Sequence, residues 1–156
     1  MALVFVLMFG FLPILYAGVV RSLLRRNLRH LREGDFEPVF NTYADDIRFV
    51  FPGQSSWAGE FRGRGEVERW VQRVYQVGLR LEPHEILVVG PPWDTTVCLR
   101  FTDTCTAQDG AIVYSNRGVI FGKIAWGKIT YYELHEDTEK VVALDEYVAS
   151  LKSTGA

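Results

Sequence analysis

Uncharged positions dominate the start of the chain, and a regular alternation of apolar and polar positions follows. Residues 1–20 carry no charged side chain, and five arginines lie within the next twelve positions. A bilayer core of about 30 Å takes about 20 helical residues to cross. We therefore predict a transmembrane anchor over residues 1–20. Because arginine-rich flanks stay on the cytoplasmic side, the rest of a single-pass membrane protein would lie in the cytoplasm.

Two alternatives to this anchor remain open. One is a cleaved signal peptide, although such a segment has positive residues ahead of its apolar run and none precede this one. The other is an apolar helix buried against a partner or against its own domain. Pro13 lies inside the run and favours the anchor, since membrane helices tolerate proline better than short soluble helices do.

The remaining pattern predicts one α+β domain over residues 21–151, followed by a short tail over residues 152–156. Helical spacing of apolar residues predicts helices over residues 21–32, 36–43, 66–77 and 138–151. Alternation predicts strands over residues 46–51, 81–89, 95–106, 111–124 and 128–137. Helices followed by a long antiparallel meander are typical of helices packed on one face of a sheet. Strands of this length must curl, and a curled sheet closed by helices encloses a pocket.

Charge is unevenly distributed along the chain. The net charge is −2, and residues 21–33 hold five arginines and one glutamate, so the rest of the chain is distinctly acidic. An acidic body argues against nucleic acid as a partner. We predict that Arg21, Arg25 and Arg29 contact anionic membrane lipid. The alternative is that they form the solvated face of the first helix.

The cysteines and histidines suggest no metal site and no cofactor. Cys98 and Cys105 lie seven positions apart on a predicted strand, so their side chains point to opposite faces and cannot easily form a disulfide. His30, His84 and His135 are scattered singly. A reducing compartment is the simpler inference, in agreement with the arginine pattern.

Glycines and turns give the chain a family resemblance. The pattern comprises residues 43–49, Phe51-Pro52-Gly53, Gly59, Gly63, Gly65, Tyr114, Asn116, Gly118 and residues 127–129. It resembles a SnoaL-like domain of the nuclear transport factor 2-like superfamily. The resemblance implies a curved antiparallel sheet wrapped by N-terminal helices into a cone, the cystatin-like roll. It also implies a range of functions, from ketosteroid isomerases, polyketide cyclases and epoxide hydrolases to modules without any chemistry.

Three residues are the catalytic candidates. Asp137 matches the acid that limonene epoxide hydrolases, which this strand resembles, place at the end of the last strand. His135 shares its strand face and is a candidate general base. Asp103 shares a face with apolar residues, and an apolar pocket would raise its pKa. Each candidate also has a structural alternative. Asp137 could cap the last helix, His135 could lie at the rim of the pocket, and Asp103 could lie at the solvent-exposed end of its strand.

The predicted ligand contacts are aromatic or polar side chains. Tyr114 and Asn116 share a strand face and could donate hydrogen bonds to a ligand oxygen. Tyr131 lies on the predicted face of Asp137, and Trp57 and Trp70 are predicted to line the pocket, although core packing would also explain both tryptophans.

Two functions remain open from the sequence. In the first, a membrane-tethered domain binds a small apolar molecule and isomerises, cyclises or hydrates it by acid-base catalysis. In the second, the domain is a non-catalytic accessory or assembly subunit, paired with another membrane protein or with its own copy as a homodimer. The enzyme hypothesis requires Asp103 and Asp137 to approach each other across a pocket.

Overall fold

A computed structural model describes the backbone of residues 2–107 and 109–153 and the side chains of residues 13–107 and 109–150. Four helices and six strands follow one another along the chain. They are α1 (Ala2–Glu33), α2 (Glu37–Phe40), β1 (Tyr43–Phe51), β2 (Gly59–Arg62), α3 (Arg64–Gln76), β3 (Leu79–Val89), β4 (Thr95–Thr106), β5 (Ile112–Ala125), β6 (Lys128–Glu136) and α4 (Thr138–Ser153).

The six strands form one sheet in the order β2-β1-β6-β5-β4-β3. The meander from β3 to β6 is antiparallel as predicted, and the bounds of β4 match the prediction. Two features differ from the expectation. β1 pairs with β6 in parallel, and the short strand β2 lies between the predicted strand over residues 46–51 and the predicted helix over residues 66–77, where no strand was predicted. The fold is therefore the predicted α+β roll with a curved sheet and helices.

The inner face of the sheet is apolar and carries the core. Along β4, alternate residues from Thr95 to Cys105 are buried, and their neighbours face outward. In β3 a register shift between Pro83 and Glu85 moves the inward positions by one residue, so Ile86 and Val88 are buried after it. Such a bulge bends its strand and lets one long strand follow a curved sheet.

Helix α1 runs without interruption through the predicted boundary at Arg21. Tyr16, Ala17 and Val20, which the sequence analysis placed in the membrane span, pack on the inner face of the sheet with Ile86 and Val97. Residues 1–12 of the predicted span have side chains that lie outside the described residues. In the described part of the chain, no helix is both long enough and apolar enough to cross a bilayer.

Gly118 in β5 lets the sheet close tightly over its core. A Cβ atom there would lie 2.6 Å from the Phe101 ring and 2.5 Å from the His135 carbonyl oxygen. Phe101 is 1% exposed and cannot move aside. At Gly122, four residues along the same face, the nearest atom is 3.4 Å away.

We expect Gly118→Ala to lower the free energy of unfolding by about 1–3 kcal/mol, because the added methyl group overpacks the core. Gly122→Ala is the matched control on the same strand face and should change stability little. Urea unfolding of both variants measures the difference. Equal stability of the two variants would contradict the packing described at Gly118.

Candidate functional site

A cavity of about 220 Å³ lies between the inner face of the sheet and the helices. Its walls are largely apolar. Helix α1 contributes Leu24 and Leu28, helix α3 contributes Trp70 and Val74, and the sheet contributes residues such as Leu99, Phe101, Ile120 and Leu134. Because each strand alternates, the same positions that form the core also line the cavity. The predicted pocket is thus present, and the few polar groups in it define the candidate site.

Two carboxyl groups enter this apolar cavity from different strands. Asp103 on β4 pairs with Asn116 on β5, and Glu136 at the end of β6 pairs with Gly118 on β5. Both acidic side chains line the cavity, and Asp103 is 2% exposed. The two carboxyl groups are close enough to influence each other's ionisation, and Asp103 Oδ1 is buried without a hydrogen-bond partner. Since a carboxylate has no proton to donate, the two groups can hydrogen-bond to each other only when one of them is protonated.

Burial raises the pKa of both groups. It raises the pKa of Asp103 to about 6. It raises the pKa of Glu136 to about 8, with the nearby charge of Asp103 as the second cause. Two neighbouring carboxylates in an apolar site cannot both ionise at little cost, so the pair releases its two protons in separate steps. Near neutral pH the pair holds one proton.

Tyr114 connects this pair to a polar network behind it. Its hydroxyl group donates a hydrogen bond to Glu136 Oε2 at 3.3 Å. Asn116 Nδ2 donates to the Tyr114 oxygen at 2.9 Å and to the Asp137 carbonyl oxygen at 3.0 Å. Burial and the two acids raise the pKa of Tyr114, so the phenol stays protonated. Tyr114 lines the cavity, whereas Asn116 is buried and holds the Tyr114 hydroxyl group through its hydrogen bond.

Two of the predicted site residues, Tyr131 and His135, lie on the other face of β6, and a third, Asp137, follows the end of the strand. Tyr131 donates a hydrogen bond to Glu133 at 2.6 Å, and the side chain of His135, 55% exposed, lies 3.4 Å from the same carboxylate. Asp137 Oδ1 accepts a hydrogen bond from the Glu139 backbone at the start of α4, which is the capping alternative. Asp137 is not among the residues that line the cavity, so the catalytic pair of Asp103 and Asp137 that the enzyme hypothesis required does not form there, and Glu136 is the second acid in the cavity instead.

The inward face of β6 consists instead of Tyr132, Leu134 and Glu136. Stacking of Tyr132 on Phe49, with ring centroids 4.4 Å apart, holds this face against the core. Glu136 was not among the predicted site residues. The sequence does carry a signal for it, since Leu134 is an apolar residue between Glu133 and His135 and marks the even positions as inward.

Both predicted tryptophans line the cavity. Trp70 Nε1 donates to the Trp57 carbonyl oxygen at 2.9 Å, and the Arg73 guanidinium group lies 3.8 Å from the centre of the Trp57 ring. Trp57 is 3% exposed, and its own Nε1 has no hydrogen-bond partner. An unpaired donor beside a cavity is costly unless a ligand or water accepts from it.

Helix α1 contributes a second side chain with an unpaired polar atom to the cavity lining, that of Asn27. Asn27 is 6% exposed and donates from Nδ2 to Thr42 Oγ1 at 3.2 Å, while its Oδ1 has no partner. The cavity thus offers a free donor at Trp57 and a free acceptor at Asn27. Within the residues that the structure describes, no three acidic, histidine or cysteine side chains converge as a metal site would require.

Comparison with known proteins agrees with this architecture. The family model of the SnoaL-like domain matches residues 24–132. No curated protein matches the sequence.

Several solved structures share the fold at low sequence identity. An NTF2-like protein of unknown function from Burkholderia pseudomallei is 22% identical, with a TM-score of 0.67, over 80% of this chain and 95% of that chain. TerC, co-crystallised with polyporic acid, is 23% identical, with a TM-score of 0.66, over 80% of this chain and 96% of its own. A protein proposed to be a ketosteroid isomerase, from Kribbella flavida, is 20% identical, with a TM-score of 0.60, over 75% of this chain and 76% of its own.

The sequence match extends from α1 into β6, and the solved structures share the fold. The chain therefore belongs to the SnoaL-like domain family.

Proposed function

We propose that this domain binds a small, largely apolar carbonyl compound in the cavity and moves a proton on it by acid-base catalysis. The observation that carries the proposal is the placement of Asp103 and Glu136 beside each other in a largely apolar cavity. A carboxyl pair that shares one proton near neutral pH supplies a base and an acid in the same place. Tyr114 adds a neutral hydrogen-bond donor beside them.

The carboxyl pair and Tyr114 have different roles in the proposed reaction. The ionised carboxylate takes a proton from the carbon next to a carbonyl group, so a C–H bond breaks, an O–H bond forms and negative charge moves to the carbonyl oxygen. Tyr114 and the protonated carboxyl group donate hydrogen bonds to that oxygen. Return of the proton at another carbon isomerises the substrate. Attack of the enolate on a second carbonyl group of the same molecule closes a ring.

The comparisons support a ligand of this class. TerC was co-crystallised with polyporic acid, and the Kribbella flavida protein is a proposed ketosteroid isomerase, and both names point to small oxygenated organic molecules. The epoxide hydrolase alternative has less support here. The resemblance to limonene epoxide hydrolases implies a water held between two aspartates and an arginine, whereas Arg100 is exposed on the outer face of β4 and Asp137 caps α4 outside the cavity.

Proton abstraction can be tested without knowing the natural substrate. We expect the full-length protein to speed the exchange of the acidic C–H protons of 2-tetralone, a small aromatic ketone, for deuterium in D₂O, followed by NMR. D103N and E136Q should each slow the catalysed exchange by about 10²–10⁴-fold, because each removes an acid-base group. Y114F should slow it by about 10²-fold through loss of one donor to the oxyanion.

The controls for this experiment lie on the outer face and the helix cap. H135Q and D137N alter predicted catalytic residues that the structure places outside the cavity, and both should exchange 2-tetralone at the wild-type rate. Equal rates in the wild type and D103N would contradict the acid-base role. Binding of 2-tetralone by saturation-transfer NMR with no exchange in any variant would favour the non-catalytic accessory function instead.

The pH dependence of the exchange should report the carboxyl pair. We expect kcat/KM to rise as pH increases through about 6 and to fall above about 8, since one carboxyl group must be ionised and the other protonated. Both limbs of this pH profile report ionisation of the coupled pair rather than of one residue. A profile that keeps rising to pH 10 would exclude a catalytic acid from this pair.

The same raised pKa values predict how stability changes with pH. The folded protein holds the protons of Asp103 and Glu136 more tightly than the unfolded chain does, so the pair favours folding most below pH 4. That contribution is lost as pH rises through about 6 and about 8. Between pH 5 and 9, we expect the free energy of unfolding, measured in urea, to fall more steeply for the wild type than for D103N/E136Q. If the free energy of unfolding changed with pH equally in both proteins, burial would not be raising the pKa values of Asp103 and Glu136.

A further inference from the structure

Two tryptophans lie exposed at one end of the sheet. Trp93 precedes β4 and is 59% exposed, and Trp126 lies in the turn between β5 and β6 and is 74% exposed. Their ring centroids are 5.9 Å apart. Trp57 and Trp70 line the cavity instead. Two adjacent exposed indole rings form an apolar patch of the kind that marks an interaction surface.

The backbone at Trp126 strengthens this conclusion. Trp126 has φ 51° and Gly127 has φ 80°, so both central residues of this hairpin turn are left-handed. Such turns favour Asn-Gly, because asparagine adopts positive φ more readily than a bulky residue does. Within the described residues, Trp126 is the sole non-glycine residue with positive φ. The fold thus keeps a strained tryptophan whose ring is mostly in solvent, which points to a role beyond folding.

Helix α1 brings further apolar surface to the same end. Tyr16 shares a 2.6 Å hydrogen bond with Thr95, the first residue of β4, and the Trp126 backbone donates to the Pro92 carbonyl oxygen at 2.7 Å. Near this junction, Ile14, Leu15 and Val19 are 69%, 60% and 57% exposed. Helix α1 continues beyond it toward residue 2, through a stretch of sequence that carries no charge. We call the surface formed by Trp93, Trp126, Ile14, Leu15 and Val19 the tryptophan end.

Charge changes sharply along α1 with distance from this end. At 1.5 Å per residue, Arg21 lies about 8 Å and Arg25 about 14 Å along the helix from Tyr16. Arg25, Arg26 and Arg29 are exposed. The acidic residue next to Trp93 is Asp94, and Lys123 pairs with it at 2.8 Å. Apolar residues at the tip, tryptophans beside them and arginines behind match the layers of an anionic lipid bilayer.

We propose that the tryptophan end docks on an anionic lipid bilayer, with Trp93 and Trp126 at the boundary between headgroups and acyl chains. A bilayer accounts for both the paired tryptophans and the arginines set back from them. The interaction needs no part of the chain to cross the membrane. It goes beyond the proposed function, because proton transfer in the cavity does not require it.

Fluorescence quenching tests the docking directly. Full-length protein is mixed with vesicles of phosphatidylcholine and phosphatidylglycerol whose acyl chains carry bromine, which quenches nearby tryptophan. We expect quenching of the wild type, because Trp93 and Trp126 reach the acyl chains while Trp57 and Trp70 stay inside the domain. W93A/W126A should lose the quenching, and L87S should retain it. Leu87 is a matched control, since it is 54% exposed on the outer face of β3.

A second variant separates docking from folding. W126N places a residue that suits positive φ in the turn, so we expect a higher Tm together with roughly tenfold weaker partitioning into these vesicles. R25E/R29E should weaken binding to phosphatidylglycerol vesicles and leave binding to pure phosphatidylcholine vesicles unchanged.

Three results would overturn the proposal. The first is a wild-type protein whose fluorescence brominated lipid does not quench. The second is a W126N variant that loses thermal stability, since Trp126 would then serve the fold. The third is a concentration-dependent dimer that W93A/W126A abolishes, because a second copy of the chain would then cover the tryptophans.

Discussion

Side-chain alternation along β4, β5 and β6 is the constraint on which the site depends. These strands present one set of residues to the core and the other to the outside, and a shift of one position exchanges the two sets. On β6, stacking of Tyr132 on Phe49 fixes the even positions inward. Glu136 then enters the cavity, and Asp137 is left outside to cap α4. Neighbouring acids on one strand thus acquire different surroundings and different chemistry.

The apolar surroundings give the acids inside the cavity their chemical character. Water would leave Asp103 and Glu136 ionised at neutral pH, whereas burial beside Phe101 and Leu134 penalises a second negative charge. An exposed acid of the same fold, Glu60, shows the opposite shift. Glu60, which is paired with Arg48, has a lowered pKa. Burial rather than residue type therefore distinguishes the candidate site from other acidic positions.

Much of the fold was predictable from local pattern. Alternation gave the four strands of the meander within about two residues because each strand has one buried face, and boundary errors of this size are usual. The short strand β2 was not predictable in this way. It has four residues and none of them is buried, so it carries no clear alternation. Parallel pairing of β1 with β6 joins segments about 80 residues apart, and no local signal specifies such a contact.

The candidate site was only partly predictable. Asp103 could be assigned to the cavity from the apolar residues that share its face, and Trp57 and Trp70 from their size. Predicting Glu136 required the correct inward face of β6 to be identified. The face that carries Asp137 was predicted instead. Tyr16 and Val20 show a related limit, because an apolar stretch has the same composition whether it packs on a sheet or faces lipid.

The cavity acids and the tryptophan end lie far apart in the fold. Thr95, which contacts α1 at the tryptophan end, and Asp103 belong to the same strand and are eight residues apart, or about 26 Å at 3.3 Å per residue. At such a distance a surface substitution rarely changes the energy of a buried group. Helix α1 also spans both regions, because Tyr16 bonds to Thr95 and Asn27 lines the cavity. A conformational link between docking and ligand binding would therefore pass through α1 or along strands β4 to β6, which connect the same two regions.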